Sequence, residues 1–198
     1  MTDKEVLKAI ERDIYENAYA MQENDPVRYR GPDLAENIET ALYLCPVCCG
    51  IGTIRSEGDS FFCGCGLRAT YTEEGFLSGE ALPFSTITEW DIWQTEQLEY
   101  IVKRAGDKTI CCDENQQLYE VHAAAGKRLI GKGMMRIDSK AFYCAGVVFP
   151  LEQIVRFAIA GKMTLLFALK NGPTYEVRSA AARSALKYRE IFRVLSAK

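Results

Sequence analysis

Four cysteines in two close pairs carry the clearest chemical signal in this chain. Cys45 and Cys48 lie in CPVCCG, Cys63 and Cys65 lie in FFCGCG, and fourteen residues separate Cys48 from Cys63. Two short cysteine turns separated by a strand-sized interval can converge on one tetrahedral metal ion, and four thiolates form a closed structural zinc site. The sequence therefore predicts a zinc ribbon that binds structural Zn²⁺ through these four residues.

The cysteine pattern leaves alternatives open. Cys49 is a spare thiol that could replace Cys48 as a ligand, and the second pair is Cys-x-Cys where Cys-x-x-Cys is usual. The thiols could also form disulfides, pack as reduced core cysteines, or act in dithiol redox or metal-handling chemistry. Because residues 1–20 carry charges throughout and do not resemble a secretory signal, we expect the reducing cytoplasm and favour zinc.

The net charge of −3 hides an asymmetry between the two halves of the chain. Residues 1–99 hold 7 Lys/Arg and 19 Asp/Glu, a net charge of −12, whereas residues 100–198 hold 17 and 8, a net charge of +9. Such a division suggests that the second half faces an anionic surface or the acidic first half. The predicted ribbon is itself acidic, which disfavours nucleic acid as its partner.

Periodicity predicts helices before and after the ribbon. An amphipathic pattern spans residues 3–23, and a short helix is expected over 32–41. The apolar face predicted for the first segment consists of Leu7, Ile10, Ile14, Ala18 and Met21. A third helix is predicted over 88–104, with Thr88 and Asp91 as a capping box and with Trp90, Trp93, Gln97 and Ile101 along one face. That face is expected to be buried against the ribbon or against the following domain.

The pattern changes to short strands after residue 109. Seven strands are predicted, over 109–112, 118–122, 128–137, 141–149, 155–160, 164–169 and 175–178, and an amphipathic helix begins at Ser179. Seven antiparallel strands closed by one helix resemble the pleckstrin-homology superfold and its GRAM-like relatives. We therefore predict an α+β protein with four parts: a helical segment 1–41, a zinc ribbon 42–84, a connecting helix 85–106, and a pleckstrin-homology-like antiparallel sandwich or barrel 107–198 capped by the C-terminal helix.

A basic stripe is predicted on the third of these strands. Arg128, Lys132 and Arg136 are spaced so that all three project from one face of the strand, and Lys127 lies at its start. In pleckstrin-homology-like domains basic residues near the early strands often contact lipid headgroups, so the resemblance implies lipid or partner contact by these four residues. A solvated outer face, or docking of the acidic half, explains the same pattern equally well.

Catalytic residues are not apparent in the sequence. His122 is the only histidine, which removes most mechanisms that need an imidazole near neutral pH. Cys111, Cys112 and Cys144 lie in predicted strands and are expected to serve ordinary packing. We expect the chain to have no enzymatic activity of its own.

A second resemblance follows from the order of the motifs. The segments ENAYAMQENDPVRYRG, CPVCCG, IGTIRSEGDSFFC, EEGFL and FSTITEWDIWQ resemble the accessory C-terminal region of bacterial lysophosphatidic acid acyltransferases. This resemblance implies that the four cysteines form the ribbon of that region. It also implies an acyltransferase catalytic domain, in cis or in trans, and anionic phospholipid as partners.

That family's catalytic motif, a histidine followed by four residues and an aspartate, does not occur around His122. The resemblance therefore predicts a non-catalytic accessory module of phospholipid synthesis, cytoplasmic and peripheral to the inner membrane face. The alternative is a nucleic-acid-binding zinc-ribbon protein, in which the basic strand would follow phosphates.

Overall fold

The computed structural model describes residues 2–14, 17–122 and 126–197. Over these residues the chain is an α+β protein with four α-helices and two antiparallel sheets. None of the described helices is long and apolar enough to cross a membrane. The helices are α1 Asp3–Ile14, α2 Ala18–Asn24, α3 Ile87–Arg104 and α4 Leu186–Ser196.

The N-terminal segment forms two helices, α1 and α2, where a single helix was predicted over residues 3–23. Residues 15 and 16, which that prediction includes, lie outside the described residues. Asn17 begins α2 because its side chain accepts hydrogen bonds from the backbone of Tyr19 and Ala20, at 3.1 and 3.2 Å. Because α2 begins as a separate helix, its buried face differs from the predicted one. Met21, predicted on the buried face, is 59% exposed, whereas Gln22 is buried.

The prediction of a helix over residues 32–41 is wrong. Only Ile38–Thr40 is helical, as one 3₁₀ turn. Asp33 and Asn37 adopt positive φ values of 55° and 64°, and a left-handed residue interrupts the α-helical hydrogen-bond ladder.

The ribbon is a four-stranded antiparallel sheet in the order β1-β2-β3-β4. Its buried core includes Ile54, Phe61, Leu67 and Trp90, so α3 contributes to it. The strands are β1 Ile54–Glu57, β2 Ser60–Cys63, β3 Arg68–Tyr71 and β4 Leu77–Ser78.

Helix α3 buries a face that differs in part from the predicted one. Trp90 is fully buried, and its indole N–H donates to the Leu44 carbonyl at 2.9 Å. Gln94 is also fully buried, because its amide accepts from the Tyr43 N–H at 3.0 Å and donates to the Ala41 carbonyl at 2.9 Å. The buried face therefore continues at four-residue spacing to Leu98 and Val102, instead of passing through Gln97 and Ile101.

The start of α3 provides a first testable prediction. Thr86 and Glu89 form the capping box, since Thr86 Oγ1 accepts from the Glu89 N–H at 3.1 Å and the Glu89 carboxylate accepts from the Thr86 N–H at 3.1 Å. We expect Thr86→Ala to lower the free energy of unfolding by about 1 kcal/mol. Thr88→Ala, at the cap predicted from sequence, is the matched control and will leave the urea midpoint nearly unchanged. Equal losses in both variants would contradict the assignment.

The larger sheet contains seven antiparallel strands in the order β8-β7-β6-β5-β11-β10-β9. The predicted number is confirmed, but two boundaries are wrong. Asn115, predicted in a turn, adopts a φ of 58° within a β-bulge of one continuous strand. Ala145 and Gly146 both have positive φ and divide the predicted strand 141–149 into a hairpin. The strands are β5 Cys111–His122, β6 Gly126–Ile137, β7 Ala141–Cys144, β8 Val147–Pro150, β9 Ile154–Ala160, β10 Thr164–Leu169 and β11 Thr174–Ser179.

Helix α4 covers an aromatic core inside the large sheet. Phe142 lies at its centre, with the rings of Phe157, Phe167 and Tyr188 at centroid distances of 5.1, 5.2 and 6.0 Å. The helix begins at Leu186, not at the predicted Ser179, which is the last residue of β11. Residues 180–185 form a link between the two, and this link carries polar contacts described below.

Residues 42–45 and helix α3 join the two sheets. Leu42 and Cys45 pack in the ribbon core, whereas Tyr43 and Leu44 pack in the core of the large sheet. Trp93 of α3 contacts both cores. The ribbon is therefore packed directly against the sheet through a shared strand-like segment and a shared helix.

Candidate metal centre

The first cysteine turn is shaped by backbone hydrogen bonds. The Cys49 N–H donates to the Cys45 carbonyl at 2.9 Å, and the Cys45 N–H donates to the Gly50 carbonyl at 3.1 Å. Gly50 has no room for a side chain, because a Cβ there would lie 2.8 Å from Thr53 and 3.2 Å from the Cys48 sulfur. The turn thus places the sulfur atoms of Cys45 and Cys48 on the same side.

The second turn follows the end of β2. The Cys63 N–H donates to the Leu67 carbonyl and the Gly66 N–H donates to the Cys63 carbonyl, both at 3.0 Å. Gly66 has a φ of 106°, which only glycine adopts without strain. This tight reversal explains how the shortened Cys-x-Cys spacing still brings Cys65 back beside Cys63.

The four predicted sulfur atoms meet at distances that suit one metal ion. All of them lie within 4.8 Å of one another. Cys45 Sγ lies 3.6 Å from Cys65 Sγ, and Cys48 Sγ lies 3.8 Å from Cys63 Sγ. A tetrahedral ion with zinc–sulfur bonds of about 2.3 Å requires a sulfur–sulfur edge of roughly 3.8 Å. These separations far exceed a disulfide bond of about 2.05 Å, so the thiols are free and arranged as ligands.

The electrostatic surroundings differ among the ligands. Burial raises the pKa of Cys45 to about 12. Burial also acts to raise the pKa of Cys63, but the Cys65 backbone N–H, which donates to this sulfur, and the Thr53 hydroxyl, which lies 3.1 Å from it, outweigh burial and lower that pKa to about 7. Of these two residues, Cys63 is the better prepared to bind as a thiolate, and Cys45 has the greater need of a cation beside it.

The remaining cysteines lie outside this cluster. Cys49 is exposed with a φ of 55°, so the structure selects Cys48 over Cys49 among the four sulfur atoms. Cys111 and Cys144 are buried in the core of the large sheet, and burial raises the pKa of each to about 12. The prediction that Cys111 and Cys144 serve packing is confirmed. Cys112 is exposed on the opposite face from Cys111, as strand alternation requires, so the prediction that Cys112 serves packing is wrong.

The structure pairs three of the four predicted contact residues with nearby carboxylates. The guanidinium of Arg136 also lies 3.5 Å from the centroid of the Tyr143 ring. Lys132 is exposed and makes no ion pair within the described residues. The pairs are Lys127 with Glu176, Arg128 with Glu120 at 2.6 Å, and Arg136 with Asp138 at 3.1 Å. Much of the positive charge is therefore compensated inside the sheet.

A β-bulge also divides the predicted basic stripe. Strand β6 carries one extra residue relative to β5 near its middle, and a one-residue shift exchanges the faces. Arg128 pairs with Glu120 and shares the face of the buried Leu118, whereas Lys132 pairs with Gln117 on the opposite face. The prediction that Arg128 and Lys132 share one face is wrong.

A buried ionic cluster was not predicted from the sequence. Lys187 of α4 is 1% exposed, and its Nζ lies 2.9 and 2.8 Å from the two carboxylate oxygens of Asp113 in β5. Arg183 donates to the same carboxylate at 2.8 Å. Gly52 of the ribbon lies over Lys187, since a Cβ on Gly52 would lie 2.5 Å from that Nζ. The cluster thus connects the sheet, α4 and the loop that follows the first cysteine turn.

Comparison with known proteins gives no family for this chain. No protein-family model matches it, and neither a curated protein nor a solved structure matches it. The resemblance to acyltransferase accessory regions therefore stays a prediction that rests on the motifs quoted above.

Proposed function

We propose that this chain is a non-catalytic, zinc-braced accessory module that contacts an anionic phospholipid surface. The observation that carries the proposal is the convergence of the sulfur atoms of Cys45, Cys48, Cys63 and Cys65 within 4.8 Å of one another. Four thiolates fill the coordination shell of Zn²⁺ and leave no position for water or substrate, so the ion would cross-link the ribbon. The absence of a nearby catalytic constellation in the sequence agrees with this role.

The topology of the large sheet supports a pleckstrin-homology or GRAM-like plan for residues 107–198. Strands β5 to β8 follow one another as a meander, β9 to β11 form a second one, and β11 returns to pair with β5. Helix α4 then covers the aromatic core, and Phe192 packs on Phe157 at a centroid distance of 4.9 Å. Seven strands closed in this way by one helix are what the resemblance implies.

The lipid-facing surface that we propose is centred on Lys132. Its ammonium group is free of ion pairs within the described part of the chain, whereas Lys127, Arg128 and Arg136 are paired. A basic residue near an anionic leaflet contributes about 1 kcal/mol, so a surface with one free and several paired cations gives weak, salt-sensitive binding. Such binding would orient a catalytic partner, for which the motif resemblance suggests an acyltransferase domain in cis or in trans.

Vesicle sedimentation tests this proposal. At low ionic strength we expect the protein to sediment with vesicles that contain phosphatidylserine and to stay in solution with vesicles of phosphatidylcholine alone. Lys132→Glu removes one favourable charge and adds an unfavourable one, about 2 kcal/mol in total and roughly a 30-fold loss of partitioning.

Lys162→Glu is the matched control for this experiment, because Lys162 is an exposed lysine in the turn between β9 and β10. It makes the same change in net charge at another place on the sheet. Equal losses in the two variants, or equal sedimentation with both kinds of vesicle, would contradict a lipid surface centred on Lys132.

A further inference from the structure

A cavity lies between α2 and the turn that connects β3 to β4. Its volume is about 370 Å³, at the small end of the range of roughly 300–1,000 Å³ that ligand pockets occupy. Its lining is mainly apolar, and the residues that matter here are Tyr19, Gln22, Tyr29, Tyr71, Glu73 and Glu74. Three tyrosines and two glutamates thus line a space large enough for a side-chain-sized ligand.

Hydrogen bonds hold the walls of this cavity in place. The Tyr19 hydroxyl accepts from the Ile87 N–H at 3.2 Å, and the Tyr71 N–H donates to the Asp59 carbonyl at 2.8 Å. The Tyr29 N–H donates to the Glu73 carbonyl at 2.8 Å, which fixes the segment after α2 to the β3–β4 turn. The backbone segments that form the walls, and the Tyr19 side chain, are therefore held by hydrogen bonds within the chain.

Gln22 closes one side of the cavity and is itself satisfied. Its amide accepts from the Val27 N–H at 3.1 Å and donates to the Val27 carbonyl. Gln22 therefore stabilises the turn after α2 and leaves recognition to the aromatic and acidic side chains.

The charge around the cavity favours a cation. Glu74 pairs with Arg28 at 3.0 Å, whereas Glu73 is half-buried and has no ion pair within the described ranges. The first 99 residues carry a net charge of −12, which attracts positively charged ligands to this half. Tyrosine rings add a favourable interaction with cations placed over their faces.

We propose that this cavity binds a methylated organic ammonium group. An unmethylated ammonium carries three donors that need acceptors, and a metal ion needs a cage of oxygen atoms; the lining is mainly apolar and Glu74 is already paired with Arg28, so it suits both less well. A methylated ammonium instead places its spread charge and its methyl groups against aromatic rings. This site is separate from the basic sheet surface, so the inference goes beyond the proposed function and does not depend on it.

Titration with choline, followed by amide chemical shifts, tests the inference on the full chain. We expect shifts at Tyr29, Glu73 and Gly75, which border the cavity. The neutral carbon isostere of choline, in which carbon replaces nitrogen, has the same shape and should bind at least fivefold more weakly, and ethanolamine should do the same. Equal binding of the neutral isostere, or no shifts at these residues, would overturn the proposal.

Two variants with matched controls locate the binding to the cavity. Tyr29 is 63% exposed, so Tyr29→Ala leaves the fold intact and should weaken choline binding about fivefold, as should Glu73→Gln. Tyr100→Ala and Glu80→Gln remove an exposed tyrosine and an exposed carboxylate elsewhere and should bind choline like the unmodified chain.

Equal affinity for choline in all four variants would contradict the assignment of choline binding to this cavity. A comparison of Nε-trimethyllysine with phosphocholine identifies the source of the methylated ammonium group. Tighter binding of Nε-trimethyllysine indicates a modified protein, and tighter binding of phosphocholine indicates a lipid headgroup.

Discussion

We expect treatment with a metal chelator to unfold the ribbon before the large sheet. The ribbon has a small core, and apparent zinc affinities of small thiolate sites are about 10 kcal/mol or more, which is comparable to the stability of a whole domain. Trp90 is fully buried and packs on Phe61 and Phe84 at centroid distances of 5.8 and 5.6 Å. Loss of the ion should therefore shift tryptophan emission to longer wavelength while β-sheet circular dichroism is largely kept.

Single cysteine variants distinguish ligation from general sensitivity to thiol loss. Cys63→Ser should abolish stoichiometric zinc in elemental analysis of gently purified protein and should reproduce the emission of the chelated form. Cys49→Ser is the matched control, because Cys49 is exposed and its sulfur lies outside the four-sulfur cluster. It should retain a single zinc ion per chain.

Three outcomes would contradict the metal centre. They are a metal-free protein with unchanged tryptophan emission, a chelated protein that unfolds no more easily than before, and a Cys49→Ser variant that loses zinc as Cys63→Ser does. The first two would show that burial alone stabilises the ribbon, and the third would show that the sulfur atoms exchange roles.

Local signals in the sequence were sufficient for the metal centre. Each cysteine pair lies within one turn, and Gly50 and Gly66 permit the backbone of those turns, so spacing alone identified the two turns whose sulfur atoms meet. The choice between Cys48 and Cys49 was different. It depends on the left-handed backbone conformation of Cys49, which the neighbouring residues of the sequence do not specify.

The strand pattern was predictable in number and less so in boundaries. A residue such as Asn115 is common in turns, but it also occupies left-handed positions inside bulges. A bulge lets the strand continue and exchanges its faces, so one unrecognised bulge joined two predicted strands and another separated Arg128 from Lys132. Such shifts are decided by the partner strand, which a single segment of sequence does not contain.

Buried polar residues were the least predictable part of the fold. Lys187 fits the polar face of an amphipathic helix, and Asp113 fits a turn, when each is considered in its own segment. Only the packing of α4 on β5 brings together two residues that are 74 positions apart. Ser184, whose hydroxyl donates to the Thr40 carbonyl at 2.9 Å, is a similar case.

The ion pair between Asp113 and Lys187 leads to the second large prediction. Asp113→Asn leaves the Lys187 ammonium group buried without a counter-charge, since its side chain is only 2% exposed. Removing one partner of a buried pair costs about 3–5 kcal/mol, and we expect a loss of this size in the free energy of unfolding measured by urea. Arg183 is 21% exposed and can turn toward water, so Lys187 accounts for most of the loss.

Asp107→Asn is the matched control for this prediction. Asp107 pairs with Lys140 at 3.0 Å, but the side chains are 74% and 72% exposed, and exposed pairs contribute little because water screens them. The urea midpoint of this variant should stay unchanged. A second comparison uses the double variant Asp113→Leu, Lys187→Met, which removes both charges and should recover much of the lost stability.

The two comparisons separate the charge effect from loss of packing. Equal midpoints for Asp113→Asn and Asp107→Asn would show that the buried pair contributes no more than an exposed one. A double variant less stable than Asp113→Asn would show that the hydrogen bonds around Asp113, and not the unpaired ammonium, set the loss. Because Gly52 lies against the same ammonium group, Asp113→Asn should also release zinc to a chelator faster than Asp107→Asn does.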